Sequence, residues 1–163
     1  MKTKIKVVPI IILCLNMFLL TIVLDKVYAQ EKQFSVLAGF KALEMSFSYI
    51  AENELIYGIA LSAVDSKLSQ DIANFHDGGK THDFKGEIVP AAFGLIGGKF
   101  DKVKVIGKIG AGYVDQKINN VPEKQKFYLA FGFAYSYEFD NGVAIIGSCD
   151  SVNAALLGVS FKM

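Results

Sequence analysis

The chain has 163 residues, 52% of them hydrophobic and 20% charged, with 17 basic against 16 acidic side chains and a mean hydropathy of +0.36. That apolar fraction supports one folded domain and excludes a disordered chain. Every basic residue is Lys, so the chain has neither the basic excess nor the guanidinium groups of a nucleic-acid binder, and two cysteines, Cys14 and Cys149, are too few for a disulfide-stapled miniprotein.

Lys2, Lys4 and Lys6 precede an apolar run over 7–24, and Val27-Tyr28-Ala29 ends on a small residue ahead of Gln30. This order of charge, apolar core and small residue predicts a signal peptide over 1–29 and a mature domain over 30–163. The competing reading is an uncleaved membrane anchor, because the run approaches the length that spans a bilayer. Cys14 follows Ile-Ile-Leu, which lacks the small residues of a lipidation site. Loss of 1–29 removes four Lys and one Asp and leaves Cys149 unpaired.

Beyond residue 30 the hydrophobic pattern has a period of two, as in strands with two different faces. The phase changes early: Phe34, Val36, Ala38 and Phe40 are apolar at even positions, whereas Leu43, Met45, Phe47 and Tyr49 are apolar at odd ones. Either a tight turn or a bulge near Lys41-Ala42 accounts for the switch. Leu55, Tyr57, Ile59 and Leu61 alternate with Gly58, Ala60 and Ser62. The stretch 87–98 is less regular, and Pro90 predicts a bulge or irregularity because it cannot donate to a ladder. Next, Val103, Val105, Ile109 and Tyr113 oppose Lys104, Lys108, Gly110 and Gly112. The clearest alternation sets Phe127, Leu129, Phe131, Phe133, Tyr135 and Tyr137 against Tyr128, Ala130, Gly132, Ala134, Ser136 and Glu138. Finally, Leu157, Val159 and Phe161 oppose Gly158, Ser160 and Lys162.

One face of these strands is large and greasy and the other small, with few charges. That contrast fits an aromatic outer wall in lipid around a cramped interior. Turn signals at 52–54, 97–101 and 140–142 are short, while the connections 66–83 and 116–125 are long and polar. A turn at Lys41-Ala42 gives eight strands, near 33–40, 43–51, 54–65, 84–98, 101–115, 125–139, 142–149 and 154–162. The predicted fold is all-β, an eight-stranded antiparallel up-and-down transmembrane β-barrel with both termini on the short-turn side. Two other readings remain open: a soluble exported β-barrel binding a small apolar ligand, and an outer-membrane lipid-modifying enzyme.

The segment Tyr135-Ser136-Tyr137-Glu138-Phe139-Asp140-Asn141-Gly142 and the closing run Leu156-Leu157-Gly158-Val159-Ser160-Phe161-Lys162-Met163 resemble the small outer-membrane β-barrel proteins of Gram-negative bacteria, of the OmpA/OmpX-like, porin-family-like type. The family usually ends on an aromatic residue; here Met163 is last, with Phe161 two before it on the same face. The resemblance implies residence in the cell outer membrane after export. It also implies outer-membrane lipid and the barrel-assembly machinery as partners, a structural or surface-interaction role without catalysis, and an unknown ligand at the loop 66–83. No cofactor or metal is expected. His76, Asp77, His82 and Asp83 could ligate a metal or move protons, but they read as a solvated loop without a rigid frame. Among the candidate residues, Glu44, Lys104, Lys108 and Glu138 face the lumen. An eight-stranded interior is filled by side chains, so these charges are expected to pair with one another rather than line a wide channel.

Overall fold

The computed structural model describes residues 29–76, 81–118 and 125–163. The expected signal peptide, up to residue 28, and the 77–80 and 119–124 parts of the two long connections lie outside the described residues. The elements are β1 (Ala29–Gly39), β2 (Ala42–Ala51), β3 (Leu55–Asp65), α1 (Ser66–His76), β4 (His82–Lys85), β5 (Ile88–Phe100), β6 (Val103–Ile118), β7 (Gln125–Glu138), β8 (Val143–Asp150) and β9 (Ala154–Lys162).

All pairings are antiparallel, and each long strand bonds to its neighbours in the chain. β1 also pairs with β9, from Gln33↔Lys162 to Gly39↔Leu156, and β6 with β7, so eight long strands close into a barrel. β4 is a short addition on the end of β6, from His82↔Ile118 to Lys85↔Asp115. The phase switch near residue 41 is a turn: Gly39 pairs with Ala42 across Phe40 and Lys41, and Lys41 takes a φ of 57°.

Two expectations need correction. The 66–83 connection is not a plain polar loop, because it contains α1 and enters β4. Asp65 Oδ1 accepts from the Leu68 N–H at 3.2 Å and caps the first turn of α1. Pro90 makes no bulge against β3, where it pairs in register with Ala63. The irregularity lies on the other side, where β4 pairs with β6 up to Lys85 and β5 only from Ala91, so Pro90 has no partner on β6.

The outward wall carries Met45, Leu61, Ile109, Leu129, Phe131, Phe133, Ile145 and Leu157, all exposed large apolar side chains. Aromatic residues gather near both ends of this band. Tyr49 stacks with Tyr57, and Tyr137 meets Phe139, near the short turns; Tyr113 meets Phe127 near the opposite end. Such girdles mark the two interfaces of a transmembrane barrel.

Large outside and small inside fails along β5, where Val89, Phe93 and Leu95 are buried while Pro90, Ala92 and Gly94 stand on the outer face. The neighbours explain the exchange. Leu95 pairs with Gly58 on β3, and Phe93 with Gly110 on β6, so two inward glycines leave the room these side chains fill.

Phe133, 62% exposed near the middle of β7, tests the assignment of faces. Phe133→Lys should lower barrel stability in lipid by about 2–4 kcal/mol, read by urea unfolding in bilayers. Unchanged unfolding would place this face away from lipid.

Candidate functional site

The inward residues of the eight strands meet in three tiers. At the end that carries the short turns, Glu31, Lys99, Lys104, Glu138 and Lys162 form one ionic network. Lys99 Nζ lies 3.2 Å from Glu31 Oε2 and 3.5 Å from Glu138 Oε2, and Lys162 Nζ lies 2.7 Å from Glu31 Oε1. Lys104, with 0% exposure, places its Nζ 2.6 Å from Glu138 Oε2 at an angle outside hydrogen-bond geometry, so the contact is an ion pair by proximity.

Toward the other end, Lys108 Nζ donates to Glu44 Oε2 at 2.7 Å, Asp150 Oδ2 at 2.6 Å and Ser148 Oγ at 3.0 Å. All four residues are buried. The ammonium also lies 4.5 Å from the centre of the Phe93 ring. Asn153 Nδ2 donates to both Asp150 oxygens at 3.1 and 3.0 Å, and the Asp150 Oδ1 atom accepts from the Val152 and Asn153 N–H groups. The register makes this cluster possible. Lys108 on β6 and Asp150 on β8 both pair with Gly132 on β7, and the missing side chain lets them meet across that strand. A Cβ on Gly132 would overlap the Asp150 side chain and the Cys149 carbonyl.

Above this cluster the interior turns apolar. The β8–β9 turn folds inward, with Val152 at 0% exposure, and α1 lies over the barrel end with Ser69 and Ala73 buried. Phe84 of β4 meets the ring of Tyr128, an inward residue of β7, with centroids 5.4 Å apart. Ser69 Oγ and Tyr128 OH are hydrogen-bonded at 2.5 Å, and Gln70 Oε1 and Asn74 Oδ1 accept from the Phe84 and His82 N–H groups. These bonds fasten α1 to β4 and β7, the two strands that flank β6 at this end.

The structure thus places Glu44 with Lys108 and Glu138 with Lys104, in two separate clusters rather than one. Sequence reading missed Asp150, Lys99 and Glu31. Parity would have found two of them: Asp150 shares its phase with Ser148 and Glu31 with Gln33, whereas Lys99 shares its phase with Leu95, whose inward position only the tertiary structure reveals. They were lost because the predicted strands began or ended too soon. His82 and Asp83 do not form a site together, because successive residues of β4 point to opposite faces: His82 is buried and Asp83 exposed. Asp77 lies outside the described residues, and among those described no three His, Cys, Asp or Glu side chains gather around a metal-sized space. Cys149 is an exposed free thiol on the outer face of β8.

No protein-family model and no curated protein matches this chain. Among solved structures, the backbone of the Yersinia pestis outer membrane protein Ail in a phospholipid bilayer nanodisc aligns with a TM-score of 0.55 at 14% identity, covering 82% of this chain and 99% of that one. A de novo designed transmembrane β-barrel aligns with a TM-score of 0.50 at 11% identity, covering 83% and 97%. At such identities the likeness is one of fold.

Removing one partner of a buried cluster leaves the others uncompensated, at a cost of about 3–5 kcal/mol. Lys108→Met should therefore destabilise the barrel by that order in urea unfolding, because it strands both Glu44 and Asp150. Glu138→Ala should cost less, since Lys99 is partly exposed and keeps Glu31 as a partner. In double-mutant cycles Lys108 should couple to Asp150 and not to Glu138, and coupling across the two clusters would contradict the geometry. The chain has the closed eight-stranded antiparallel fold of a small transmembrane β-barrel.

Proposed function

We propose that this chain is an integral outer-membrane β-barrel of a Gram-negative cell envelope. It is exported by its N-terminal signal peptide and acts without catalysis, in a structural or surface-interaction role. The observation that carries this reading is the band of large apolar side chains on the outside of a closed barrel whose filled interior holds the paired charges and most of the buried serines. A water-soluble barrel would reverse that distribution, and contiguous apolar surface on this scale belongs against another apolar phase.

In this reading outer-membrane lipid covers the wall and the barrel-assembly machinery handles the closing strand β9. The short turns face the periplasm, and α1 with the long connections forms the surface offered to a ligand outside. The inward charges are structural, holding opposite walls together through the two clusters.

The two competing readings lack support. A barrel that carries a small apolar ligand needs an apolar cavity of hundreds of cubic ångströms. The enclosed space at mid-barrel is only about 10 Å³. A lipid-modifying enzyme needs a general base at the rim. His82, the histidine with a described side chain, is buried beside Phe84 instead.

Cell fractionation with gel mobility tests the proposal. The chain should sediment with outer membrane and run faster unheated than boiled. Recovery in the soluble periplasm with a single mobility would overturn it. For orientation, an epitope between Gly78 and Gly79 should bind antibody on intact cells, and binding only after permeabilisation would reverse the two ends.

A further inference from the structure

The cluster around Lys108 holds two carboxyl groups and one cation. Glu44 and Asp150 are both buried, and the single ammonium spends its three N–H bonds on Glu44 Oε2, Asp150 Oδ2 and Ser148 Oγ. Among the described residues no second cation pairs with either carboxyl. The surrounding elements bring no further charge to them. Across the ladders Glu44 faces Leu37 on β1 and Ser62 on β3, and Asp150 faces Gly132 on β7 and Ala154 on β9. On β5 the Phe93 ring meets the ammonium, α1 buries Ser69 and Ala73, and His82 of β4 lies beside Phe84. Lys104, toward the short turns, is paired with Glu138.

Two carboxyl groups that share a buried site with one cation do not both ionise cheaply, and hydrogen bonds decide which keeps its charge. Asp150 accepts at both oxygens, from Lys108, from the Val152 and Asn153 N–H groups and from Asn153 Nδ2, at 2.6 to 3.1 Å. Glu44 accepts from Lys108 at 2.7 Å and from Asn153 Nδ2 at 3.4 Å, both on Oε2. Beside it two buried polar atoms lack a partner: Ser62 Oγ, across the ladder, and Asn153 Oδ1, on the amide that reaches Glu44. An amide oxygen can only accept, so that place calls for a donor. We propose that Glu44 is a proton-binding site. Its carboxyl keeps one proton in the folded barrel at neutral pH, while Asp150 stays ionised against Lys108. The cluster is then neutral as a whole, and an O–H donor stands where two polar atoms are unpartnered. An unfolded glutamate, which titrates near about 4.3, gives up that proton at neutral pH. Folding therefore takes up a proton at Glu44. The folded state binds more protons than the unfolded one, so this site makes stability fall as pH rises above the ordinary glutamate range. Only the interior is involved, whichever medium covers the wall.

The test is carbon-13 NMR of the full barrel in lipid nanodiscs, with the Glu44 Cδ and Asp150 Cγ signals traced through their side chains to the backbone. At neutral pH the Glu44 signal should lie where a neutral carboxyl group resonates, and the Asp150 signal where a carboxylate does. Glu44→Gln copies the neutral form and has no proton to take up. In urea unfolding, the ratio of its folding equilibrium constant to that of the wild type should therefore rise about tenfold per pH unit between about pH 5 and pH 7. An ionised Glu44 or a neutral Asp150 at neutral pH overturns the proposal. So does a ratio that stays flat, or one that levels off short of neutral pH. If Glu44→Gln does not fold, the two carbon signals of the wild type decide by themselves.

Discussion

The constraint on which the rest depends is closure of the backbone ladder. In hydrocarbon an unpaired N–H or C=O has no water to turn to, so a sheet survives there only if its edges meet. Here the β1–β9 and β6–β7 pairings remove those edges. Closure with eight strands then fixes a narrow interior, and that interior dictates what the inward positions can be. A large inward side chain needs a glycine beside it, as Phe93 has Gly110 and Leu95 has Gly58. A charge needs a partner on another wall, because there is too little room for water to hydrate it.

The clusters meet that demand in different ways. Around Lys108 everything is buried, and the cation sits between two carboxylates, a hydroxyl and an aromatic ring. Asn153 and two backbone N–H groups of the inward turn occupy the remaining lone pairs of Asp150. That cluster ties β2, β6 and β8 to one point and draws the β8–β9 turn into the barrel. The network of Lys99, Lys104, Glu138, Glu31 and Lys162 is looser and partly wet, with distances from 2.6 to 3.5 Å. Pairs of that kind contribute less, because solvent screens them.

The packing of α1 at the end opposite the ionic network follows from the same narrowness. Eight strands leave a narrow opening, and α1 packs at it with Ser69, Gln70 and Asn74 bonded to β7 and β4. The side chains beneath it, Phe84, Tyr128, Ala73 and Val152, belong to the apolar cluster that continues down the barrel through Phe93, Leu95, Ile106 and Ile146. At this end of the barrel Lys67, Asp71 and Phe75 are exposed along α1.

The sequence by itself determined the strand pattern, the two faces and the eight-strand count, because a period of two and the residue sizes on each face are local properties that survive in one dimension. It also held the parity that places Glu44, Lys104, Lys108 and Glu138 inside. It carried a signal for α1 in Leu68, Ile72, Ala73 and Phe75 after the capping Asp65, although that signal is short and sits in a polar stretch. Only the tertiary structure decided which charges meet. Lys108 reaches Asp150, 42 positions away, because register sets both beside Gly132, and register depends on the closure of the whole sheet rather than on any one strand. The inversion of faces along β5 was settled in the same way, by glycines on neighbouring strands that no local window contains.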